Sequence, residues 1–256
     1  MGKIVIWDER YEGTPAALAN MDIKYAEMFS DYSGMMGVDM AEVRAVTQTG
    51  EMVFYNVIDG QIMPLPASVE GGNIETFRAN LVLMKDGSVK YIDDYGGEVP
   101  AIPEGIVAVD ICSNGQVCFA VSAAKDVIAW GSLGDARWEN IPADLKVDEI
   151  AVSGDCAIAR QPDGTLIGWG NDADGLVAGI PEGILALSIS MSSGHALVAK
   201  TDGTVVAWGE SEAGQCQVPM DLTGVTKVAA GEGVSFALKD DGSIAAWGGY
   251  ISPEPM

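Results

Sequence analysis

Apolar residues in this chain come in short runs of about four to seven, about eight to ten residues apart, with glycine or an Asp-Gly pair closing most runs. No stretch holds a helical spacing over a useful length, whereas strand-sized runs between turn signals point to an all-β protein. One phrase dominates: Thr204-Val205-Val206-Ala207-Trp208-Gly209, entered by the turn Asp202-Gly203. It returns as Gly164–Gly170 and as Gly242–Gly248, and again as Lys125–Gly131 with lysine in the turn. Weaker copies run from Gly50 to Tyr55 and from Gly87 to Ile92, and Gly2–Trp7 opens the chain with another. The anchors fall at 7, 55, 92, 130, 169, 208 and 247, so the last three intervals are 39 residues each. A fixed period of this length marks a solenoid or a propeller.

Each repeat reads as four short strands. In the last one these begin with Gly224–Gly231 and Val234–Lys239, then the turn Asp240-Asp241-Gly242, then Ser243–Trp247. The fourth is seen one repeat earlier as Gly214–Pro219, where proline suits an edge strand. Full copies begin near Asp22, Asn73, Gly105, Val147, Gly183 and Gly224. A half copy precedes them: Ile4–Trp7 matches a third strand and Tyr11–Pro15 a fourth. The expected organisation is one domain over 1–256, with a leading half repeat (1–20), six repeats (21–248) and a tail (249–256). The natural architecture is a β-propeller of four-stranded blades. It is either seven-bladed with a partial first blade, or six-bladed with a half blade as a seal. Tryptophans, and Tyr55 and Ile92 in their places, are expected to fill the gaps between blades.

The wording apolar-x-x-Ile/Val-Ala-x-Gly, then x-Ala-Leu-Lys, then Asp-Gly-Thr-Val-x-Ala-Trp-Gly resembles the repeats of the regulator-of-chromosome-condensation family. The residues that carry the resemblance are Val225–Gly231, Phe236–Lys239 and Asp241–Gly248, together with Ala196–Lys200 and Asp202–Gly209. It is strong over Gly105–Gly248 and weak before. His195 stands where the family usually has a histidine ahead of the second strand. The resemblance implies a seven-bladed propeller. Its wording is similar to bacterial versions, among them a secreted propeller inhibitor of β-lactamase. A family fold carries many functions, so it fixes architecture better than role.

Charge narrows the role. With 14 basic and 37 acidic side chains the net charge is −23, which repels phosphate backbones and anionic membranes. Nucleic-acid binding is therefore excluded as an expectation. No apolar run approaches the ~18–20 residues of a membrane span, and no basic, apolar leader precedes Ile4. Cytoplasmic synthesis without a signal peptide is expected. Cys112, Cys118, Cys156 and Cys216 form no Cys-x-x-Cys pair and read as buried thiols in a reducing compartment.

Chemistry has little to work with. The only histidine is His195, at a structural position of the repeat, and Gly-x-Ser-x-Gly does not occur. The pairs Asp172/Asp174 and Glu210/Glu212 sit in corresponding turns of successive repeats, where solvation explains them. Asp172-Ala173-Asp174-Gly175 resembles the start of a calcium loop but lacks the later glutamate. No enzyme activity, cofactor or metal is expected.

Two departures from period mark candidate contact surfaces. The interval from Trp7 to Tyr55 is 48 residues, and the excess falls near Lys24–Ala41, rich in Met28, Phe29, Tyr32, Met35, Met36 and Met40. These residues either fill a degraded blade or form an adaptable gripping loop. In Leu133–Trp138, Arg137 stands beside an additional Trp138, either an exposed contact or a packed blade edge. The candidate partner-binding set is Met28, Phe29, Tyr32, Met35, Met36, Arg137 and Trp138. The expected function is a non-catalytic, protein-binding propeller in a large assembly such as a bacteriophage virion, with other virion proteins as partners. The alternative is a soluble inhibitor or regulator that caps a partner enzyme.

Overall fold

A computed structural model of the chain describes residues 6–8, 11–13, 23–31, 40–56, 61–67, 69–92, 100–133, 138, 141–192 and 194–249; side chains are described from Arg44 onward. Every sheet pairing is antiparallel and joins neighbours in sequence. The chain divides into two compact units, Met1–Ala108 and Val109–Met256.

In the first unit β1 (Ile6–Asp8) pairs with β2 (Tyr11–Gly13). A four-stranded sheet follows, made of β3 (Ile23–Asp31), β4 (Met40–Thr47), β5 (Met52–Asn56) and β6 (Gln61–Met63). In its register Tyr55 lies opposite Ile62, as Trp7 lies opposite Glu12. The leading half copy forms an antiparallel pair of strands. The sheet β7 (Ile74–Arg78), β8 (Leu81–Met84), β9 (Val89–Tyr91) completes the unit.

The second unit repeats a three-stranded sheet four times. These are β10 (Ala108–Ser113), β11 (Val117–Ser122), β12 (Val127–Gly131); β13 (Glu149–Ser153), β14 (Cys156–Arg160), β15 (Leu166–Gly170); β16 (Ala186–Met191), β17 (His195–Lys200), β18 (Val205–Gly209); and β19 (Val225–Gly231), β20 (Val234–Lys239), β21 (Ile244–Gly248). The first strands of all six full repeats start within a few residues of their expected positions. This is a β-propeller fold. Among the described residues of the full repeats, the expected fourth strand forms at β6 alone. In Gly214–Pro219 the backbone turns instead, with Gln217 N–H bonded to Gly214 O at 2.9 Å and Val218 N–H to Cys216 O at 3.0 Å. Those local bonds use groups that a fourth ladder would need.

Two devices explain the sequence phrase. The residue closing the Asp-Gly turn has positive φ (Gly50, Gly87, Gly164 and Gly203 at 80–89°, Lys125 at 67°). Its carbonyl accepts an N–H at or just before the next sheet's first strand: Gly50 from Ile74 at 3.0 Å, Gly87 from Ala108 at 2.8 Å, Lys125 from Val147 at 2.9 Å, Gly164 from Ala186 at 2.8 Å and Gly203 from Val225 at 2.9 Å. The second device is the glycine after Trp130, Trp169, Trp208 and Trp247. Gly131, Gly170, Gly209 and Gly248 have φ of 100–109°, and a Cβ there would collide with the carbonyl oxygens of Gln116, Asp155, Gly194 and Gly233. Only glycine satisfies both demands.

The core lies in the seams between sheets. Trp169 packs with Phe119, Val117 and Ala157; Trp208 lies against Ile158 and Leu176; Trp247 joins Leu197, Ala199 and Leu222. Ile92 takes the same part beside Phe54 and Phe77 in the first unit. Each large side chain buried this way contributes ~1.5–3 kcal/mol of transfer free energy.

Candidate partner-binding surface

The period excess resolves into a long hairpin. β3 and β4 are nine and eight residues long, against four to seven for the first and second strands of the five three-stranded sheets. Met28 lies opposite Val43 and Phe29 opposite Glu42, so both sit on a paired strand rather than in a loop. Tyr32, Met35 and Met36 lie outside the described residues, as does Arg137.

Trp138 requires a correction. It is 4% exposed and packs in the core with Phe119, whose ring centroid is 5.6 Å away, while Trp169 flanks the same ring at 5.9 Å. Burial of so large a ring removes it from any contact surface. Of the two sequence readings, the packed one describes it.

His195 is 1% exposed and bridges two sheets. Its Nδ1 is 2.8 Å from Ser192 Oγ and its Nε2 is 2.9 Å from Ser235 Oγ. Ser235 Oγ donates to Gln215 O at 2.7 Å, and Trp247 Nε1 donates to that same carbonyl at 2.8 Å. Since the Ser235 hydroxyl proton goes to Gln215, Ser235 accepts from Nε2–H. In the neutral imidazole Nδ1 is then the acceptor from Ser192. Burial pushes its pKa below the usual histidine value, in keeping with that state. The histidine thus belongs to a seam between sheets.

Carboxylates hold turns. Asp202 accepts from Thr204 N–H at 3.0 Å and Thr204 Oγ1 at 2.7 Å, which hold its pKa down to about 2. Asp86, Asp163 and Asp241 make the same pair of bonds to Ser88, Thr165 and Ser243. Asp172 accepts from the N–H groups of Val177 at 2.6 Å and Ala178 at 2.8 Å, which accounts for it as a turn residue. Among the described residues no group of three or more His, Cys, Asp or Glu is placed to hold a metal. Cys112, Cys118 and Cys156 are buried thiols; burial pushes Cys156 up to about 11. Cys216 is only partly buried.

One feature of the surface was not singled out from the sequence. Leu185 and Leu187, at the start of β16, are 47% and 44% exposed, next to the turn glycine Gly164 of the preceding sheet. One repeat earlier these positions hold Lys146 and Asp148, which are ion-paired with Asp126 and, at 2.6 Å, with Lys125. Val107 and Val109, two repeats earlier, are exposed as well. The signal was an apolar pair where the neighbouring repeat is charged.

The comparisons agree with this architecture. The described residues contain no helix long and apolar enough to cross a membrane. Residues 187–215 match the model described as "Regulator of chromosome condensation (RCC1) repeat". That span runs from β16 through His195 and Trp208 to Gln215. No curated protein matches the chain. Among solved structures it is similar to the CRINKLY WD40 ectodomain of the Arabidopsis thaliana receptor kinase ACR4, at 13% identity and TM-score 0.64, covering 88% of this chain and 85% of that one. The ectodomain of the Physcomitrella patens receptor kinase CR4 gives 17% identity and TM-score 0.58 over 81% of this chain and 59% of that one. U3-55K gives 12% and 0.53 over 90% and 78%. The chain is therefore of the β-propeller class. Within that class, it carries a repeat of the chromosome-condensation-regulator type.

Proposed function

We propose that this chain is a non-catalytic propeller that binds protein, as a component of a large assembly such as a bacteriophage virion. The observation that carries the reading is the use of its polar side chains. The single histidine ties two sheets together, and the turn aspartates cap their own turns. The long β3–β4 hairpin, with Met28 and Phe29 on it and Tyr32, Met35 and Met36 between its strands in sequence, remains as the contact element. Methionine-rich segments adapt to a partner's surface, and the acidic charge favours a basic protein partner over nucleic acid.

Labelling the native protein and following it by sedimentation and negative-stain imaging tests this. Label on particles supports an assembly component. A stoichiometric complex with one enzyme whose activity it blocks would replace that reading with the inhibitor one. Label that never leaves the monomer fraction would reject both.

A further inference from the structure

The two seams before the His195 seam are apolar at the same places. His195 and Ser235 stand in phase with Cys156 and Ala196 one repeat earlier, and with Val117 and Ala157 before that. The β16–β18 and β19–β21 sheets are therefore joined through an imidazole buried to 1% exposure, in a chain of hydrogen bonds from Ser192 through His195 and Ser235 to Gln215 O and Trp247. We propose that this seam is an acid-sensitive latch: proton uptake by His195 loosens the β19–β21 sheet from β16–β18 while the apolar seams stay closed.

The physical reason is the placement of charge. Protonation leaves both ring nitrogens facing hydroxyl oxygens, so the hydrogen bonds survive, but it puts a cation between sheets with no carboxylate bonded to it. Charged and titratable groups on the packed elements are Glu210, whose carboxylate lies against Gly194, Glu212 and Cys216 in the segment carrying Gln215, Glu232 in the β19–β20 turn, Lys200, Lys227 and Lys239 on β17, β19 and β20, and Asp202, Asp240 and Asp241 in the turns after β17 and β20. Burial opposes the imidazolium. An opened seam lets the imidazole take up its proton at the ordinary value of about 6.5, so opening gains ground as pH falls below that. The sheet that would be released carries Leu238 and Ile244, paired across β20 and β21 and already exposed, so loosening it adds to an apolar surface.

The test is amide hydrogen exchange on the purified full chain at pH 7.5 and pH 5.5, corrected for intrinsic rates. Protection of β19–β21 is expected to fall more than that of β13–β15, by up to about tenfold, the gain in proton uptake by an opened seam between the two pH values when its imidazole titrates at the ordinary value. His195→Gln keeps a donor and an acceptor but takes up no proton, and should remove that difference. A second variant, H195V with S235A, copies the Val117/Ala157 seam and should do the same if the first is poorly folded. Equal loss in both sheets of the wild type, or a difference that persists in either folded variant, would overturn the proposal.

Discussion

Trp247 donates its indole N–H to the carbonyl of Gln215, 32 residues earlier, at 2.8 Å, and Trp208 makes the same bond to Leu176 at the same separation and distance. These two third-strand tryptophans thus clip onto the segment that follows the preceding sheet. Their rings fill the seams while their one polar atom is satisfied, whereas Trp169 Nε1 is buried without a hydrogen-bond partner among the described residues. Trp247→Phe keeps most of the ring and removes the donor. The expected cost is about 1 kcal/mol, or roughly 2–4 °C in Tm by calorimetry. A variant as stable as wild type would deny the bond any net weight.

The glycines behind Trp130, Trp169, Trp208 and Trp247 should be intolerant of any side chain. Gly209→Ala places a methyl against the Gly194 carbonyl at a φ of 102°. A loss of about 2 kcal/mol or more is expected, beyond the strain of the positive φ alone. Gly242→Ala is the control: its φ is 83° but no atom lies within 4 Å of the new Cβ. Denaturant unfolding should rank the two in that order.

Trp138→Ala should lower stability by about 3–5 kcal/mol, the usual cost of emptying a tryptophan site in a core. Phe119 would lose its neighbour 5.6 Å away. A near-normal Tm with lost partner binding would contradict the burial found here.

Acid should loosen the turns in a separate window from the histidine seam. The carboxyls of Asp86, Asp163, Asp202 and Asp241 are held below their usual values, chiefly by the neighbouring Ser or Thr hydroxyl. Their contribution is present above about pH 4, the ordinary aspartate range, and is lost as pH falls toward the Asp202 value of about 2. D202N should flatten the fall in Tm between pH 4 and pH 2 and leave the region near pH 6 unchanged.

Much of the fold was legible because the strongest signals were local. Asp-Gly turns, Trp-Gly pairs and apolar alternation are enforced by φ and by contacts within one or two strands. They placed the starts of β3, β7, β10, β13, β16 and β19 to within a few residues. The fourth strand was not legible, because Gly214–Pro219 has strand-like composition but closes its hydrogen bonds on itself. Trp138 was ambiguous because its neighbour Arg137 suggests a surface, whereas the aromatic contacts that bury it come from Phe119 and Trp169, distant in sequence. His195 was recognisable as structural, but its partners, Ser235 forty residues on and the Gln215 carbonyl beyond it, show only in three dimensions.

The proposed binding of another protein is tested by isolating the native chain and measuring the mass and composition of what elutes with it. One protein partner at a fixed ratio is expected, lost at least tenfold when Met35 and Met36 are both replaced by serine. The chain eluting alone, or a complex indifferent to that replacement, would contradict it.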